Sequence, residues 1–227
     1  MSAIVGPRIP PFTNTYSLDF DGIDDYVDTG ITTGTNDVSI SCWIKTTETF
    51  AYTASRCAFG GTDVTFGGNY TLGRLGSGFS TPNDTVVRIW NTLGTTKLNN
   101  GNWHHIAFTY NYTTKEVKAY VNGSLELTVT IALFRSKAIA IGWNGTAQNF
   151  EGNVDECGLW YSVLSASEIT DIYNLGVPNS LASLNPYGWW RNGDNDTYPT
   201  ITDNGSGGNS GTMTNMTAGS IVSDVPL

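Results

Sequence analysis

Seven consecutive residues, Asp19-Phe20-Asp21-Gly22-Ile23-Asp24-Asp25, carry four carboxylates around a glycine. Calcium takes six to eight oxygen ligands from carboxylates and backbone carbonyls, so an acidic turn of this kind suits it. The plainer alternative is that Asp21 only shapes the turn by accepting from nearby backbone N–H groups. A second acidic pair is Asp155-Glu156. Glycoside hydrolysis needs two carboxylates roughly 5–9 Å apart in one cleft. On a strand that means alternate positions, whereas adjacent residues point to opposite faces. Asp19 and Asp21 do alternate, but beside a turn. His104 and His105 follow Trp103 with no Ser or Cys nucleophile motif nearby. The chain is therefore expected not to be an enzyme.

Sugar recognition needs exposed aromatic platforms with amide or carboxylate groups beside them. Trp143-Asn144-Gly145-Thr146-Ala147-Gln148-Asn149 fits, as does Trp90 beside Asn91. The candidate glycan-binding residues are thus Trp143, Asn144, Gln148 and Trp90. Most other tryptophans are expected in the core, Trp43, Trp103 and Trp160 among them.

The elements that would hold these residues are strands. Val38-Ser-Ile-Ser-Cys-Trp-Ile-Lys alternates, with Val38, Ile40, Cys42 and Ile44 on one face and Ser39, Ser41 and Trp43 on the other. Tyr16, Leu18 and Phe20 alternate likewise. Short strands are expected near 56–60, 69–75 and 86–91, followed by a strong one from Trp103. Asn122-Gly123 between two apolar runs predicts a hairpin, because both residues tolerate positive φ. Lys137–Gly142 and Gly152–Trp160 read as further strands. Ser165 with Glu168 forms a capping box, and Ile169, Ile172 and Tyr173 follow at helical spacing, so one helix is predicted over 166–174.

Composition agrees. The chain has 227 residues, 26 glycines, 12% aromatics and only 14% charged residues, which suits many strands joined by tight turns. The net charge of −9 disfavours nucleic acid and anionic lipid as partners. Three cysteines, Cys42, Cys57 and Cys157, form no disulfide framework or metal pattern and read as buried thiols. The first residues lack a basic start and an apolar run, so no signal peptide is expected, and no later stretch reads as a membrane span.

Four blocks, in order, resemble laminin-G-like domains of the concanavalin-A-like lectin and glucanase superfamily. They are Leu18-Asp-Phe-Asp-Gly with Asp25-Tyr-Val; Val38 to Lys45; Gly101-Asn-Trp-His-His-Ile-Ala-Phe with Ala119-Tyr-Val-Asn-Gly; and Gly152 to Ile169. Together they cover about residues 16–175. The resemblance implies an all-β jelly-roll sandwich of two antiparallel sheets. It also implies that first and last strands pair, which would bring Asp21 near Asp155 as calcium ligands. The Glu-x-Asp-x-Glu run of glucanases with this fold is absent.

The expected organisation is an extended Pro-rich arm (1–15), a sandwich (16–212) and a tail (213–227). Tyr187-Gly-Trp-Trp-Arg-Asn-Gly-Asp and Asp203 to Met213 resemble the opening segment of such modules, displaced to the end of the chain. Residues 180–212 then read as a circularly permuted or exchanged edge, packed in the same chain or swapped. That same segment resembles structural proteins of marine tailed phages. The resemblance implies a non-enzymatic virion component: a capsid decoration, a fibre or a tail accessory. Its partners would be other virion proteins and copies of itself, as a homo-oligomer, for instance a trimer, with the arm and tail as attachment elements. The alternatives are an adhesin recognising host surface glycans and a lectin module outside any virus.

Overall fold

The structure is a computed structural model that describes residues 12–34, 36–49, 55–62, 74–77, 84–89, 91–131, 137–143 and 149–227. The first half carries β1 (Ser17–Asp21), β2 (Tyr26–Thr33), β3 (Val38–Lys45), β4 (Ser55–Cys57), β5 (Phe59–Thr62), β6 (Arg74–Ser77), β7 (Thr85–Ile89), β8 (Thr92–Leu93) and β9 (Trp103–Tyr110). Then follow β10 (Glu116–Val121), β11 (Ser124–Thr130), β12 (Lys137–Ile141), β13 (Glu151–Trp160), helix α1 (Ala166–Tyr173), β14 (Gly188–Trp190), β15 (Thr200–Ile201), β16 (Gly211–Thr214) and β17 (Ile221–Val222).

One antiparallel sheet runs β11-β10-β9-β3-β13-β1-β17, with β14 also on β13. The other runs β15-β16-β2-β12-β5, and β4-β6-β7-β8 forms a smaller sheet. This is the jelly-roll sandwich expected. Between the layers lie Leu18, Phe20, Val27, Ile40, Cys42, Ile44, Phe108, Val154 and Trp190. The alternation of β3 sends Ile40, Cys42 and Ile44 inward and Trp43 to the outer face, as predicted. All three cysteines are buried, and none is in a disulfide.

Helix α1 begins where the capping box placed it. Ser165 accepts from the Glu168 N–H and the Glu168 carboxylate accepts from Ser165. Ile169 and Ile172 then pack with Ala107, Tyr120 and Trp160 on the outer face of the first sheet. Asn122 and Gly123 both take positive φ, 48° and 76°, and turn β10 into β11.

The C-terminal part is integral to the fold and packs in the same chain. β14 pairs with β13, β16 with β2, and β17 with β1. Of residues 213–227, expected as a tail, Met213 and Met216 are buried, and Ile221 packs against the same core. Apolar residues at these positions cannot be left in water at low cost. Of the arm, residues 12–15 are described and lie against the domain; residues 1–11 lie outside the described residues.

Candidate functional site

The acidic turn links β1 to β2. The N–H groups of Ile23 and Asp24 donate to Asp21 Oδ1 (2.8 and 3.4 Å), and the Asp21 N–H donates to Asp25 Oδ2 (3.2 Å). Carboxylate oxygens of Asp21, Asp24 and Asp25 lie within 4.8 Å of one another. Asp25 is buried, and its pKa is raised, first by that burial and then by the charges of Asp21, Asp24 and Asp19, against the opposing Asp21 N–H. Like charges at this spacing favour a proton or a cation between them.

The second part of the site is the loop after β12. Gly142 donates to Ala58 O (2.7 Å) and accepts from the Phe150 N–H (2.9 Å), which closes the loop and sets Trp143 and Asn149 at its base. Only glycine suits this point. Its φ is +82°, and a Cβ would lie 2.4 Å from the Phe20 ring. Asn149 Nδ2 donates to the Ile23 carbonyl inside the acidic turn, and Asn149 Oδ1 is buried without a hydrogen-bond partner. An orphaned buried acceptor is costly unless a donor or cation meets it. The carboxylates of Asp21, Asp24 and Asp25 therefore suit a hard, oxygen-seeking ion such as calcium, with the Asn149 amide bonded to the same turn.

Beside the turn, Trp143 packs against Tyr26, with ring centroids 4.8 Å apart and ring planes tilted by 39°. Both rings are half-buried. The alternation of β2 also turns Asp28 outward, and the register sets Thr214 against Tyr26 and Thr212 against Asp28. Asp28 Oδ1 accepts from the Gly30 N–H (2.9 Å), leaving Oδ2 for a ligand hydroxyl. The outer face of the second sheet thus carries an aromatic pair, a carboxylate and threonine hydroxyls next to the acidic turn. Of the other predicted glycan residues, Asn144, Gln148 and Trp90 lie outside the described residues.

Asp21 and Asp155 are not brought together. The first and closing strands do pair, but Asp21 sits opposite Glu151, and Asp155 lies four residues further along β13. The antiparallel register, with Leu18 opposite Val154, decides this. Asp155 instead joins a buried cluster on the outer face of the first sheet. A bulge at Glu156, where φ is +46°, lets Asp155 and Glu156 face the same side, although an unbroken strand would part them. Asp155 accepts from Asn14 Nδ2 (2.7 Å); Glu156 accepts from Trp189 Nε1 (2.6 Å) and Arg191 Nε (3.0 Å). Arg191 also donates to Asp194 (2.8 Å), and Asp194 accepts from the Thr15 N–H and hydroxyl. Burial raises both β13 carboxyls, Asp155 well up and Glu156 to about 7, with the Arg191 charge opposing the rise at Glu156. With their oxygens bonded inside the protein, these carboxylates hold the arm rather than a substrate.

Tyr26 and Asp28 are not among the expected site residues, and Asn149 enters only as the last residue of the Trp143 loop. The outward register of β2 carried a usable signal for the first two, while Asn149 gains its role only from loop closure. Trp103 departs from expectation too: Trp43 and Trp160 are buried, but Trp103 is half-exposed.

Residues 21–170 match the family model of the concanavalin A-like lectin/glucanases superfamily. No curated protein matches the chain in sequence. Among solved structures, a Bacteroides ovatus protein provisionally described as carbohydrate-binding superposes with a TM-score of 0.67 at 19% identity, covering 96% of this chain. The chain spans only 62% of that protein's length. A heptameric SAP-like pentraxin from Limulus polyphemus gives 0.54 at 11% identity over 70% of this chain and 82% of its own. The CBM40 of a Ruminococcus gnavus IT-sialidase, bound to α2,3-sialyllactose, gives 0.50 at 15% identity over 69% and 96%. These likenesses concern the fold, and the family match spans well over half of the sequence: the chain belongs to the concanavalin A-like lectin/glucanase superfamily.

Proposed function

We propose that this protein is a non-catalytic glycan-binding module, with its site on the outer face of the second sheet. The observation that carries the reading is the Trp143–Tyr26 pair set beside the acidic turn and the outward Asp28. The two rings, tilted 39° to each other, offer apolar faces to the C–H face of a pyranose. Asp28, Thr212 and Thr214 supply acceptors and donors for its hydroxyls. Asp21, Asp24 and Asp25 would hold calcium, whose contribution when bound is to fix the turn and offer a coordination position to ligand oxygens. The carbohydrate-binding descriptions of the Bacteroides and Ruminococcus proteins support the same reading. The test is a glycan array of the purified protein in calcium, repeated with chelator and with Trp143→Ala. Reproducible binding that the substitution removes supports the proposal. A blank array, or binding indifferent to Trp143, sinks it.

The wider setting we propose is a virus particle. The resemblance of residues 187–213 to phage structural proteins supports it, with a homo-oligomer, for instance a trimer, contacting other virion proteins. Recovery of the protein at fixed stoichiometry in purified particles is the expected result. Its absence from particles leaves a cellular lectin as the reading.

A further inference from the structure

A second candidate site lies on the opposite side of the sandwich. The alternation that sends Ile44 inward turns Trp43 and Lys45 outward, and β9 does the same with Trp103 and His105. Register places Lys45 opposite Trp103 and Trp43 opposite His105. Tyr173, the last residue of α1, stacks on Trp43 with centroids 5.8 Å apart. Asp224 closes the arrangement, accepting from Lys45 Nζ (2.5 Å) and from Trp103 Nε1 (3.0 Å). Between Trp43, Trp103, Tyr173, Lys45, Asp224 and Asn102 is a cleft of about 460 Å³.

We propose that this cleft binds a neutral sugar ring, independently of the Trp143 face. Its volume falls within the few hundred to a thousand Å³ usual for small-ligand sites. Aromatic rings line it, so an apolar ring face has a surface to lie on. Lys45, the cation of the lining, is paired with Asp224, so the cleft offers no free cation with which to draw an anionic sugar. Asn102, exposed at the rim, offers an amide donor and acceptor, the pairing that ring hydroxyls need. Trp43, Lys45, Trp103 and Tyr173 stand on strands and a capped helix, which hold these side chains in place before binding. A protein with sugar sites on both outer faces can bridge two glycan chains, and linked sites raise avidity without a new contact.

The test follows the indole N–H signal of Trp103 by nitrogen-correlated NMR, assigned with Trp103→Phe. Maltose, cellobiose and lactose are the neutral probes and sialyllactose the anionic one. At least one neutral disaccharide should shift the signal, in wild type and equally in Trp143→Ala. Asn102→Ala, at an exposed position, should weaken that binding by about tenfold. Sialyllactose should leave the signal in place. The proposal is overturned if no neutral probe shifts the signal, if Trp143→Ala removes the shift, if sialyllactose acts as strongly, or if Asn102→Ala binds as wild type does. A blank result at the Trp143 face with a shift at Trp103 would reject the first site and keep this one.

Discussion

Arg191 donates through Nε to Glu156 Oε1 at 3.0 Å, where Glu156 is only 3% exposed. The pair exists because β13 bulges at Glu156 and β14 runs alongside it, so a residue from the displaced C-terminal segment neutralises one from the closing strand. Above pH 7, where Glu156 is ionised, removing Arg191 strands that buried charge, at a cost of about 3–5 kcal/mol. Arg191→Ala should therefore lower stability by that order in chemical denaturation. Lys118→Ala, which breaks the exposed pair with Glu116 (2.7 Å), should cost under ~1 kcal/mol.

The same cluster sets the pH dependence. The Glu156 pKa is raised to about 7, chiefly by burial, and Asp155 is raised as well. Above the ordinary carboxylate range the unfolded chain has released these protons while the folded one still holds them. Stability should then fall as pH rises from about 4.5 to 7, by up to ~3 kcal/mol for Glu156. Glu168 is lowered by the capping box, so its contribution is lost only as pH falls below its ordinary range. Denaturation midpoints at pH 5 and pH 8 measure the effect. Glu156→Gln should flatten the profile across that window, and an unchanged slope would contradict the assignment.

Calcium should act at the β1–β2 turn and not at Asp155. An ion bound only by the folded state raises the melting midpoint in proportion to the logarithm of its concentration. The wild-type midpoint should drop on adding chelator. Asp25→Asn should abolish that response, whereas Asp155→Asn should keep it, since Asp155 bonds Asn14 instead. A chelator response that survives Asp25→Asn would move the ion elsewhere.

Much of the sandwich was legible because period-2 alternation states which side chains face inward, and β3 obeys it at every position from Ile40 to Ile44. The helix was legible because a capping box and helical spacing are local. The site was only half legible. Trp143 and Asp21 stand out by residue type, but the Asp21–Asp155 pairing failed because the long-range register of β1 on β13 sets Asp21 opposite Glu151. Asn149 and Arg191 gain their partners only through chain closure, which no local pattern encodes.

The C-terminal segment gives the last prediction. Trp190 is fully buried, pairs through β14 with Cys157 and packs edge-on against Phe59 from the other layer (5.9 Å). It therefore ties the two sheets together from a segment outside the matched family region, residues 21–170. Trp190→Ala should cost about 3–5 kcal/mol, the usual range for a buried aromatic. Deleting residues 180–227 removes β14 to β17 and with them Met213 and Met216 from the core, so the truncated chain should not give a cooperative unfolding transition. Adding residues 180–227 as a separate peptide should restore the transition, because the segment's contacts to β1, β2 and β13 are pairings that need no covalent link. A truncated chain that melts as the whole protein does would show that the family region closes its own core.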